Sequence, residues 1–132
     1  MFTIEAIKAA HAKVKSGADF PAYIRDLKNL GVGYYETWVT DGHTDYYGAG
    51  EEKQVAVAQY GPLDIAATAN VTAFAQRLRE HQQGATDYLT FCGHCAEHGV
   101  EKWVVCLDKM TCTYYDTAGN ELLQEKVPDV MV

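Results

Sequence analysis

The sequence predicts an α+β fold in which helices lie mainly on one face of an antiparallel sheet. Three observations carry this: the chain resembles itself at an offset of about 68 residues, each copy opens with apolar residues spaced by three and four, and each closes with alternating aromatic and β-branched residues. The self-similarity is visible when Asp19-Phe20, Leu30-Gly31-Val32 and Tyr46-Tyr47 are set beside Asp87-Tyr88, His98-Gly99-Val100 and Tyr114-Tyr115. Between them Tyr23 falls on Phe91, Ile24 on Cys92, Leu27 on Cys95, Tyr35 on Trp103 and Val39 on Leu107. Upstream the offset is 67, so that Ile4 meets Val71, Ile7 meets Phe74 and Gly17 meets Gly84. The expectation is one domain over residues 1–132, a tandem duplication of a helix–helix–strand–strand unit with a third strand following each hairpin, the copies covering about 2–60 and 69–127.

Each copy begins with an amphipathic helix whose buried stripe is Ile4, Ile7, His11 and Val14, or Val71, Phe74 and Leu78. A second helix follows, with Asp19 or Thr86/Asp87 as N-cap and Gly31 or Gly99 just past its end. Strands then run from Val32 to Val39 and from Val100 to Leu107, each returning through a Tyr-Tyr pair. The first hairpin turns at Asp41-Gly42 and the second at Lys109-Met110; third strands are expected at Gln54–Ala58 and Glu121–Glu125. Because alternate strand residues share a face, Tyr35, Thr37, Val39, Trp103, Val105 and Leu107 should meet the helices. Tyr34, Glu36, Trp38, Lys102, Val104 and Cys106 should point the other way, joined by Asp45, Tyr47, Thr113 and Tyr115. That open face is aromatic, and an exposed sheet face rich in Trp and Tyr calls for a covering.

Composition bounds the function. A net charge of −7 leaves little attraction for phosphate backbones or anionic lipid, so neither nucleic acid nor a membrane surface is an expected partner. Glu5 and Lys8 interrupt the stretch a signal peptide would need, and no later run reaches membrane-spanning length, so the expected location is the cytoplasm. Cys92, Cys95, Cys106 and Cys112 are accordingly expected as free thiols.

Two sites compete. On the open face, Glu36 between Tyr34 and Trp38, with Tyr47, Lys102 and Tyr115 nearby, suits a cationic or amphipathic small ligand or a protein partner. The same aromatics would equally be covered in a homodimer, or by the curled sheet itself. The other site is Cys92-Gly93-His94-Cys95 followed by His98, with Cys106 or Cys112 as further thiols, which would make a metal protein or a thiol-dependent enzyme. Against it, Cys92, Cys95 and His98 occupy the positions of Ile24, Leu27 and Leu30 in the first copy, as core residues would. Asp41, His43 and Asp45 alternate along the hairpin and read as a solvated turn, although such a trio can also bind metal or move protons. No catalytic residue and no cofactor is assigned.

Over essentially its whole length the chain resembles the YdfO-like and YbcV-like proteins, small bacterial and prophage-encoded proteins of unknown function sometimes labelled "phage envelope protein". The resemblance is carried by Lys13-Val14-Lys15-Ser16-Gly17-Ala18-Asp19-Phe20-Pro21, by Tyr35-Glu36-Thr37 with Asp41-Gly42-His43-Thr44, and by His81-Gln82-Gln83-Gly84 leading to Thr86-Asp87-Tyr88. Its most specific stretch runs from Gly99-Val100-Glu101-Lys102-Trp103 through Met110-Thr111-Cys112-Thr113-Tyr114-Tyr115-Asp116 to Gly119-Asn120-Glu121. It implies a prophage-type setting, which favours small regulators, inhibitors and accessory factors, and it transfers no site residue.

Overall fold

The computed structural model describes residues 2–13, 20–48, 52–58 and 60–126. The elements α1 (Ile4–His11), α2 (Phe20–Leu30), β1 (Val32–Trp38), β2 (Thr44–Gly48) and β3 (Lys53–Ala56) are followed by α3 (Val71–Gln82), α4 (Tyr88–Glu97), β4 (Lys102–Cys106), β5 (Thr111–Tyr115) and β6 (Glu121–Lys126). The strands form a six-stranded antiparallel sheet in the order β3-β2-β1-β4-β5-β6. Its centre is the pairing of β1 with β4, which sets Tyr34 opposite Cys106, Glu36 opposite Val104 and Trp38 opposite Lys102.

Local chemistry explains the element boundaries. Thr3, Asn70 and Asp87 cap α1, α3 and α4, each side chain accepting a backbone N–H of the first turn. Asp19, Gly17 and Val14 lie outside the described residues. Gly31 and Gly99 end α2 and α4 at φ of 100° and 82°, where a side chain would be strained. At Gly99 a Cβ would also come within 2.7 Å of the Ala69 backbone, so the connector between the two halves packs directly on this helix end. The connector is tied on both sides: Leu63 N–H donates to Thr40 O, the Tyr60 hydroxyl donates to Val39 O, Ala66 N–H donates to Ala96 O and Asn70 N–H to His98 O. In the second hairpin Met110 takes a positive φ of 52°, doing by itself what Gly42 does in the first.

The core lies between the helices and one sheet face. Tyr35, Thr37, Val39, Trp103, Val105 and Leu107 are all buried there, against Ile7, Ile24, Leu27, Phe74 and Leu78. It is an aromatic core: Phe74 meets Tyr114 edge-on at 4.9 Å between centroids, and Phe91 and Trp103 are 5.8 Å apart. His81 stacks on Phe91 at 4.3 Å while its Nδ1 lies 3.0 Å from Thr86 Oγ1, a partner not apparent in the sequence. Two members of the expected stripes depart from burial. Val71 is 39% exposed because it stands in the first turn of α3, and His11 is exposed at the last turn of α1, its ring set steeply against those of Tyr23 and Tyr88.

Candidate functional site

On the opposite face of the sheet, cross-strand register organises the side chains into three rows. The first runs Lys53, Tyr47, Tyr34, Cys106, Thr111; the second Val55, Asp45, Glu36, Val104, Thr113, Gln124; the third Trp38, Lys102, Tyr115. All six residues singled out from the sequence (Tyr34, Glu36, Trp38, Tyr47, Lys102 and Tyr115) therefore stand on this one face. Tyr34 and Tyr47 stack with centroids 4.5 Å apart, and the Lys53 ammonium lies 5.5 Å from the Tyr47 ring. Burial and the nearby Glu36 carboxylate raise the Tyr47 hydroxyl pKa.

The third row is organised around a cation supplied by the chain. Lys102 Nζ lies 4.8 Å from the Trp38 ring centroid, 5.5 Å from that of Tyr115 and 3.9 Å from Glu36 Oε1. A positive group thus already occupies the space between aromatics and carboxylate that an external cation would fill. The near-parallel His43 ring lies 5.9 Å from the Trp38 ring, whose indole N–H donates to Asp45 Oδ2. Asp41 Oδ1 accepts both the backbone N–H and Nδ1 of His43, which holds the Asp41 carboxyl below its ordinary range. The Asp41, His43, Asp45 trio is therefore a braced turn beside Trp38.

The rows are unequal. Tyr34 and Val55 on this face, and Val57 just past the end of β3, are 40%, 48% and 68% exposed. In the second half the face carries Val104, Thr113 and Gln124, and Thr113 is buried because Gln124 Nε2 donates to its hydroxyl and covers it. Sequence reasoning missed Lys53 and Val55, although the alternation Lys53, Val55, Val57 in the third strand would have placed them.

The Cys/His cluster has a different environment. Cys92, Cys95 and Cys112 are buried, and burial pushes all three thiols up, Cys112 to about 12. The hydroxyls of Tyr60 and Tyr88 lie near Cys92 and partly offset the effect of burial on its thiol. Cys106 stands apart on the open face, partly exposed. His94 Nδ1 and His98 Nε2 are buried without a partner among the described residues. Among those residues no three His, Cys, Asp or Glu side chains converge as metal ligands. No helix among them is long and apolar enough to cross a membrane.

The fold defines an α+β protein whose antiparallel sheet carries aromatic side chains on the face turned away from the core. The chain belongs to DUF1398, a family of proteins of unknown function, whose model matches residues 8–126. None of the curated proteins matches it.

Proposed function

We propose that this protein is a non-enzymatic binding module, regulatory or accessory in role, that engages a protein partner through the open sheet face, chiefly its first half. One observation carries this reading: of the five exposed large apolar residues among those described, Tyr34 and Val55 stand on the first half of that face and Val57 directly follows its edge strand. With Lys102 filling the place between Trp38, Tyr115 and Glu36, the face offers ring edges, hydroxyls and aliphatic surface more than a pocket for a small cation. The prophage setting implied by the family resemblance, and a cytoplasmic location, agree with such a role. The recurrence of helix–helix–strand–strand–strand, with the strand order mirrored about the β1–β4 pair, supports a duplication whose binding residues are weighted toward the first copy.

The test is a comparison of V55T/V57T with Leu89→Ser, whose parent residue is 59% exposed on α4. Both variants should keep wild-type stability within about 0.5 kcal/mol. Partner recovery from the native host should fall at least tenfold for the first and stay unchanged for the second; equal recovery would refute the reading. A homodimer closed over the same face is the second reading, favoured by the same exposed residues, and light scattering showing twice the chain mass would replace the first with it.

A further inference from the structure

A concavity of about 360 Å³ lies away from the open face, walled by residues 63–66 of the connector and floored by Gly93, Ala96 and Glu97 of α4. Its size falls within the range of small-ligand sites, about 300–1,000 Å³. The floor contains an unexplained glycine. Gly93 sits in the middle of a helix, where glycine is unfavourable, yet its φ is not positive and a Cβ there would meet nothing within 4 Å. Neither backbone geometry nor crowding within the chain requires it, and its effect is to leave the helix backbone bare at the base of the cavity.

The wall is held in place. Leu63 N–H donates to Thr40 O and the Thr40 hydroxyl donates back to Leu63 O, while Ala66 N–H donates to Ala96 O. Leu63, Ile65, Ala66 and Ala96 line the trough, and the only charged residues lining it are Asp64 and Glu97, neither of which makes an ion pair among the described residues. Apolar walls beside two uncompensated carboxylates complement an apolar chain ending in a positive charge.

We propose that this trough binds a small aliphatic primary amine, its alkyl chain lying over Gly93 and Ala96 and its ammonium set between Asp64 and Glu97. The site is independent of the open face. Titration of the ¹⁵N-labelled protein with n-hexylammonium, n-hexanol and n-hexanoate tests it by amide shifts. Hexylammonium should move the signals of residues 63–66 and 93–97 saturably, hexanol should bind at least tenfold more weakly, and hexanoate should give no saturable shift. D64N/E97Q should weaken hexylammonium at least fivefold. Gly93→Leu, which fills the trough with a better helix former, should abolish the shifts; Gly93→Ala, which adds only a methyl group, should fold equally well and retain part of the binding. Equal affinity for the three probes, shifts confined to other residues, or undiminished binding by Gly93→Leu would overturn the proposal. Tighter binding of a blocked lysine amide than of hexylammonium would also overturn it, by making the occupant a partner's side chain.

Discussion

Lys102 reaches across from β4 to lie beside Trp38 and Glu36, and this single side chain changes what the open face can accept. Its type, its face and its grouping with Glu36 and Trp38 were legible from alternation, but the contacts themselves were not, since they depend on β1 pairing antiparallel with β4, a long-range register that no local pattern encodes. The cysteines show the converse. Alignment of Cys92 with Ile24 and Cys95 with Leu27 pointed to the core, and both thiols are fully buried there. Under native conditions, thiol titration should find one rapidly reacting group, Cys106, with Cys92, Cys95 and Cys112 reacting only after unfolding. Rapid reaction of all four would contradict the placement.

Among the elements, helices were the more readable because their signals are local. Asp87 caps α4 and Gly99 ends it, as spacing alone suggested. The strands are shorter than expected, β1 stopping at Trp38 and β4 spanning only Lys102–Cys106, because turn geometry takes over before the apolar alternation ends. What the sequence concealed was the connector, whose anchoring depends on backbone groups without side-chain signatures. It explains an expected difference between two glycines. Gly119→Ala, at φ 85° with open space around it, should cost about 1–2 kcal/mol in urea unfolding from backbone strain alone. Gly99→Ala adds the collision with the Ala69 backbone and should cost about 1–3 kcal/mol more. Equal losses would mean that the connector does not press on α4.

At the scale of the whole molecule, the buried face carries an unusual number of weak acids. Burial raises the pKa of Cys92, Cys95 and Cys112, and of Tyr23, Tyr35, Tyr88 and Tyr114. Each holds its proton in the folded state at a pH where the unfolded chain has begun to release it, so the unfolded state binds fewer protons and stability falls as pH rises. Their contribution is intact below the ordinary thiol value of 9.0 and is lost above it, first from the thiols and then, past 10.0, from the tyrosines. Each group adds up to about 1.4 kcal/mol per pH unit to that loss. Urea midpoints measured between pH 8 and 11 should therefore fall ever more steeply, and a flat profile would contradict the buried aromatic and thiol core.

The other sheet face carries the functional claim. Its aromatic character was visible in sequence, whereas its imbalance toward Tyr34, Val55 and Val57 required the third strand's register and the cover that Gln124 gives Thr113. The most direct measurement is site-specific photo-crosslinking in cells, with a benzophenone side chain placed in turn at positions 34, 55, 71 and 89. Positions 34 and 55 should yield one discrete adduct of the same partner, and positions 71 and 89, equally exposed on the helices, should yield none. Adducts from 71 and 89 with none from 34 and 55 would show that the open sheet face is not where this protein binds.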